Sequence, residues 1–280
     1  MSAMLYLVPT PIGNLGDISQ RCRETLEAAD FIAAEDTRVT LKLLNHLGIK
    51  KSLVSYYEHN KAAQGSRIVE RILGGETCAL VSDAGSPAIS DPGEDLVKQC
   101  AAAGIPVCAI PGPCAAITAL SISGQATGRF CFEGFLSTAK KSRREHLESL
   151  KSEQRTMIFY EAPHKLLTTL SDMAEVFGGD RPLSLCRELT KLHEEVVRTT
   201  LSEALERYTE NPPKGEFVLI VAGTKPEEKE IPSETDAAAR LAELTAQGLS
   251  RKDAVKQTAK ELGLSKNAVY EIALKDSEKE

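Results

Sequence analysis

The sequence predicts an α/β protein of two domains, the first on a parallel sheet and the second on a mixed sheet, followed by a small all-helical tail. Three observations carry this expectation. Short apolar runs alternate with helical patterns through residues 1–120. Between Phe130 and Gly223 the rhythm changes, and the runs PLSLCREL and EEVVRTTL follow each other with only a turn around TKLH between them, as antiparallel neighbours do. Beyond the charged, proline-containing stretch TKPEEKEIP only helical patterns remain. The expected boundaries are 1–120, 121–224, a linker at 225–232 and a tail at 233–280.

The elements follow in order. Met4–Val8 reads as a buried strand and Ile18–Ala29 as a helix with Leu26 on its apolar face. Phe31–Asp36 is the next strand, with a helix through VTLKLLNHLG that closes at Gly48. SLVSY is a short strand, Ala62–Leu73 a helix, Thr77–Asp83 an apolar strand, Glu94–Ala103 a helix and Pro106–Ile110 a strand. Such alternation calls for right-handed crossovers with helices on both faces of the sheet. In the second domain RFCFEGFL and RTMIFYEA are strands around a charged helix, Lys141–Lys151. KLLTTLSDMAEVFG and SEALERY are helices, and GEFVLIVAG is the last strand. Three tail helices begin at Ser233 or Thr235, at Ser250 and at Ser265, and the first two end at Gly248 and Gly263. Two short helices joined by GLS resemble a helix-turn-helix.

Composition narrows the function. With 42% hydrophobic and 26% charged residues the 280-residue chain is that of a globular protein. No stretch approaches the ~18 apolar residues of a membrane span, and MSAMLYLVPT lacks the basic start of a secretory signal. The seven cysteines are scattered, without a CxxC or Cys/His cluster, so a cytoplasmic location, reduced thiols and no metal centre are expected. A net charge of −6 gives no general attraction to nucleic acid, so any such contact must come from local basic patches.

Four unusual loops stand where parallel strands end, the edge at which open α/β sheets bind ligands. They are PTPIGN (Pro9–Asn14), EDTR (Glu35–Arg38), SDAGSPAISDPG (Ser82–Gly93) and PGPCAA (Pro111–Ala116). Glycine and proline fix uncommon backbone angles, and small side chains let a ligand approach the main chain. Any one of the loops can be a plain tight turn; four along one edge point to a ligand cleft.

With these loops, the sequence resembles the tetrapyrrole methylase superfamily, the class III S-adenosylmethionine-dependent methyltransferases. LVPTPIGNLGDIS, AAEDTR, LVSDAGSPAISDPG, PGPCAAITAL, FEGFL, FYEAPHKL, RELTKLHEE and KGEFVLIVAG match the branch that methylates the ribose 2′-hydroxyl of a cytidine in 16S rRNA, and they span Leu5 to Gly223. The resemblance implies two α/β domains with S-adenosylmethionine between them, a homodimer, and 16S rRNA or the 30S subunit as partner. It places Pro11 and Gly13 at the cofactor and acceptor site. It sets Ala84, Gly85, Ser86 and Ile89 against the methionine part, with Cys114 and Ala115 beside it. Tyr160, Glu161, Phe217 and Val218 would enclose the adenosine.

A ribose hydroxyl needs its proton drawn off or a cation nearby. The strand ends offer Asp36, Asp83, Glu161 and Glu188 as bases, and Arg38 and Arg187 as cations. Each has a structural alternative. Asp83 can brace its loop, Glu35 and Asp36 can order the following helix, Glu188 can pair with Arg187, and His164 can be structural. For RNA, Lys140, Lys141, Arg143 and Arg144 form one basic cluster, with solvated helix charge as the alternative. Arg251 and Lys252 open a tail segment in which six cations face three acids from Ser250 to Lys275, net +3. A methylase of corrin or siroheme precursors and a ligand-sensing DNA-binding regulator are the competing readings. The basic tail argues against the first, and its weak charge argues against the second.

Overall fold

The structure, a computed structural model, describes residues 3–224 and 233–277. The expected linker at 225–232 lies outside the described residues, as does the side chain of Lys275. The chain divides into two compact units, residues 1–224 and 225–280.

The first sheet joins β1 (Leu5–Leu7), β2 (Phe31–Ala34), β3 (Ser52–Ser55), β4 (Cys78–Val81) and β5 (Val107–Ala109) in the order β3-β2-β4-β1-β5. All its pairings are parallel. Successive side chains of a strand point to opposite faces, and β2 shows the result. Phe31 and Ala33 pack with Ile68, Ile72 and Leu96 of α3 (Lys61–Leu73) and α4 (Gly93–Ala102). Ile32 and Ala34 pack with Leu26 of α1 (Gln20–Ala28) and Leu44 of α2 (Thr37–Leu47). Both faces are covered, so the central strands are continuously apolar.

The second sheet joins β6 (Phe130–Phe135), β7 (Thr156–Glu161), β8 (Pro182–Arg187), β9 (Glu195–Thr200) and β10 (Phe217–Val221) in the order β6-β7-β10-β8-β9. Only β6–β7 is parallel; β7–β10, β10–β8 and the expected β8–β9 pair are antiparallel. One face buries Phe159, Leu185 and Leu219 under α7 (Pro163–Phe177) and α8 (Leu201–Glu210). The other face, with Ile158, Val218 and Ile220, receives Ala116, Ala119 and Leu120 of α5 (Ala115–Ser123).

α5, which spans the boundary expected at residue 120, packs on the second sheet. The Arg198 Nε (3.0 Å) and the Ser184 hydroxyl (2.9 Å) both donate to the Ser123 carbonyl at the end of α5. The helix therefore carries the chain from one sheet to the other, and its N-terminus faces the strand ends of both.

The 225–280 unit holds α9 (Glu234–Ala246), α10 (Arg251–Leu262) and α11 (Lys266–Ser277). Ser233 and Asp236 form a reciprocal capping box on α9, and Ser250 caps α10. Leu241, Leu244, Val255, Val269 and Ile272 make its own small core. Among the described residues no helix is long and apolar enough to cross a membrane, and no group of three or more His, Cys, Asp or Glu is arranged to hold a metal ion.

Candidate active site

The strand ends of both sheets converge on one cleft of about 420 Å3. Ser82, Asp83, Ala84, Ser86, Ile89, Ser90 and Asp91 contribute from the loop after β4. Cys114 and Ala115 come from the start of α5, and Ile12 and Glu35 from the ends of β1 and β2. Phe135, Tyr160, Glu161, Cys186, Leu189, Lys191, Glu216, Phe217 and Val218 form the opposite wall.

Hydrogen bonds explain why these loops hold their shape. Thr10 and Gly85 exchange two backbone bonds of 3.0 Å, so the loops after β1 and β4 form a small ladder. The Ser86 hydroxyl donates to the Pro113 carbonyl at 2.9 Å and ties in the loop after β5. The Asp36 N–H donates to Asp83 Oδ1 at 3.0 Å, joining the loops after β2 and β4. Asp91 Oδ1 accepts from the Ala88 and Gly93 N–H groups, while its Oδ2 is buried without a partner. Ala88 and Ser90 hold left-handed φ values of 68° and 70°, conformations that cost side-chain-bearing residues energy and gather at functional sites.

The opposite wall is braced as firmly. The Tyr160 hydroxyl accepts the Ala116 N–H at 3.1 Å and so caps α5, where Cys114 makes no side-chain cap. Burial pushes that hydroxyl up to about 12. Phe132 and Phe135 meet the Tyr160 ring edge-on. Lys191 Nζ bonds Glu188 Oε1 and Glu216 Oε2, both at 2.8 Å, and its stem crosses to Gly13.

The expected residues separate by position. Ala84, Ser86, Ile89, Cys114, Ala115, Tyr160, Glu161, Phe217 and Val218 share the cleft. Gly85 is buried in the ladder behind it. Pro11 and Gly13 line a neighbouring cavity instead. Of the candidate bases, Asp83 and Glu161 line the cleft, and Glu161 already accepts from Thr169 Oγ1 (2.6 Å) and its own neighbour's N–H. Asp36 and Arg38 do not line it. Asp36 caps α2 and takes a forked bond from the exposed Arg38, which holds its carboxyl down to about 2, far too weak a base for a hydroxyl. Glu188 is likewise off the lining and held below its ordinary value by Lys191 and the Glu216 N–H. Arg187 pairs with Glu195 instead of Glu188. His164 is exposed in the first turn of α7.

The basic cluster on α6 (Lys140–Ser149) is half structural. Arg143 is buried, bonds Asp172 of α7 at 2.7 Å and donates to the Ser137 and Thr138 carbonyls. Arg144 also reaches Asp172 and pairs with Glu175. Arg143 is thus committed to the packing of α6 on α7, Arg144 stays partly exposed, and Lys140 and Lys141 are exposed. In the tail Arg251 and Lys252 are both exposed, and Arg251 also donates to the Ala273 carbonyl.

Glu35 emerges as a cleft carboxylate where sequence reasoning saw a helix-ordering group. Partial burial, then the charge of Asp83, raise its pKa. Lys191, Leu189 and Asp91 were not legible as site residues. Leu189 stands between Glu188 (φ 51°) and Thr190 (φ 66°), left-handed positions with no glycine to mark them.

Comparison with known proteins adds the relatives. The family model for Tetrapyrrole (Corrin/Porphyrin) Methylases matches residues 4–205, and that for the RsmI C-terminal HTH domain matches residues 231–277. A Synechocystis protein named Ribosomal RNA small subunit methyltransferase I is 49% identical over 97% of each chain. One of the same name from Halalkalibacterium halodurans is 51% identical over 96% of this chain and 93% of its own. Uroporphyrin-III C-methyltransferase from Thermus thermophilus, solved with S-adenosyl homocysteine, superimposes with a TM-score of 0.56 at 15% identity. That match covers 78% of this chain and 97% of its own, and at such identity the likeness is one of fold.

Proposed function

Because the chain belongs to the tetrapyrrole methylase family, we propose that it is a ribosomal RNA methyltransferase acting on the ribose 2′-hydroxyl of a cytidine in 16S rRNA, in the 30S subunit of the cytoplasm. The observation that carries this reading is the near-full-length identity, tail included, to relatives named for the small-subunit RNA. The fold alone would serve a tetrapyrrole acceptor equally well.

The cofactor of the family is S-adenosylmethionine, and the cleft fits it. Glu35, Asp83, Asp91, Glu161 and Glu216 face it against the single Lys191, an acidic balance suited to a ligand that carries a sulfonium and an ammonium. The unpartnered Asp91 Oδ2 is an acceptor waiting for a donor. Ala84, Ser86, Ile89 and Asp91 would hold the methionine end, and Ala115, Leu189, Phe217 and Val218 the adenosine. When bound, the cofactor supplies an electrophilic methyl group, so the difficult chemistry is its own.

The chain's residues orient the acceptor and handle its proton. Asp83 is an exposed carboxylate at the cleft edge and, unlike Glu216, is not paired with Lys191. Its Oδ1 is fixed by the Asp36 N–H, and the carboxylate takes the hydroxyl proton as base. Asp83→Asn is expected to lower kcat by ~10²–10⁴-fold, the usual worth of a positioned base, with cofactor affinity largely kept.

The test uses labelled S-adenosylmethionine with 30S subunits and free 16S rRNA from cells lacking the gene. Label entering either RNA supports the reading, and preference for 30S makes the assembled particle the substrate. No label in either, with cofactor binding intact, overturns it.

A further inference from the structure

A second cavity of about 290 Å3 lies against the first. The two share Ser82 and Asp83, which form the partition between them. The loop after β1 divides in the same way, since Ile12 faces the cofactor cleft while Pro11 and Gly13 face the second cavity. The partition is rigid: the Thr10 hydroxyl donates to the Ser82 carbonyl, the Thr10–Gly85 ladder backs it, and Asp36 N–H fixes Asp83.

The second cavity has a different chemistry from the first. Leu15 and Val39 are 47% and 39% exposed on its walls, with Leu43 one helical turn beyond Val39. Lys42 and His46, both exposed on α2, stand on its rim. In an acidic chain, an apolar wall beside two basic groups suits a flat base carried on an anionic backbone. A base turned out of its stack can pack on apolar side chains while cations take the phosphates. A hydroxyl placed at Asp83 from this side stands at the edge that the two cavities share.

We infer that this second cavity is the acceptor pocket and takes a single nucleotide of the RNA. Its base lies on Leu15, Val39 and Leu43, its ribose stands at the Ser82–Asp83 partition, and an adjacent phosphate is met by Lys42 and His46. The inference rests on the reading of the chain as an RNA ribose methyltransferase. Nucleotides read this way must be unstacked, so the target belongs to a loop or is turned out of its helix.

Two variants at exposed positions test it, Leu15→Ala/Val39→Ala and Lys42→Ala, each compared with wild type for S-adenosylmethionine affinity by calorimetry and for methyl transfer to 30S subunits. The expected result is cofactor affinity within about twofold of wild type. The first variant should lose ~10–100-fold in kcat/KM, the range that truncating a base-stacking surface costs. Lys42→Ala should raise the KM for 30S and reduce the slope of log affinity against log salt by about one. Unchanged kcat/KM in both variants, with active wild type, overturns the acceptor pocket alone. Loss of cofactor affinity with 30S binding unaffected assigns the cavity to the cofactor and overturns it too. Wild type inactive on every RNA overturns the parent reading, and this one with it.

Discussion

Two carboxylates carry the sharpest consequences at the scale of single residues. Glu35 is held above its ordinary 4.5 by partial burial and by Asp83. Above that raised pKa it is an anion facing a cationic ligand, and as pH falls through it the charge is lost. S-adenosylmethionine affinity should therefore weaken on acidification, beginning above the ordinary carboxylate range. Glu35→Gln should flatten that dependence, and S-adenosyl homocysteine, whose sulfur is uncharged, should show less of it; titration calorimetry across pH measures all three. Asp172 is the structural counterpart, since it and Arg143 are each only 8% exposed at the side chain. Asp172→Ala strands a buried guanidinium, and breaking such a pair costs ~3–5 kcal/mol, which denaturant unfolding would reveal. The pair was hidden in the sequence because KKSRREH reads as a solvated basic run. Its i+3 periodicity does place Arg143 and His146 on one face, but only the packing of α6 on α7 decides which face is buried.

At the scale of elements, the strands and their order of appearance were legible because buried strands and amphipathic helices have different periods. The loops after β1, β4 and β5 were legible through their glycines and prolines, and the loop after β2 through its two acids ahead of a helix start. The loop after β8 was not, since its left-handed positions are Glu188 and Thr190. That loop meets the loop after β1 at one point. Gly13 has φ 151°, and a Cβ there would stand 2.5 Å from Lys191 Cγ. Gly13→Ala should displace Lys191 from Glu188 and Glu216, destabilise the fold by ~1–3 kcal/mol and weaken cofactor binding, as thermal melts with and without S-adenosylmethionine would report. The placement of α5 escaped sequence reasoning for another reason. Its apolar residues, including Ala116, Ala119 and Leu120, fit either sheet, and the bonds to Tyr160 at its start and from Ser184 and Arg198 to its last turn fix it to the second.

At the scale of the whole molecule, the net positive charge of the C-terminal helical unit is confined to the segment from Ser250 to Lys275, which carries net +3, and RNA affinity should reside disproportionately in that segment. Lys252 and Lys256 are exposed on α10. Lys252→Glu/Lys256→Glu should weaken 30S binding and flatten its salt dependence, while cofactor affinity stays the same; filter binding over a salt series measures this. The homodimer that the family resemblance implies would need an exposed apolar surface on the 1–224 unit. The edge strand β6 exposes Phe130 and Phe132, a surface that lone subunits seldom leave bare. The central claim, a methyl group placed on a cytidine ribose, is tested most directly by nucleoside analysis. 30S subunits from cells lacking the gene are treated with the protein and S-adenosylmethionine, and their RNA is digested to nucleosides for mass spectrometry. The account predicts the appearance of 2′-O-methylcytidine, one equivalent per subunit; a methylated base, or no new nucleoside, would contradict it.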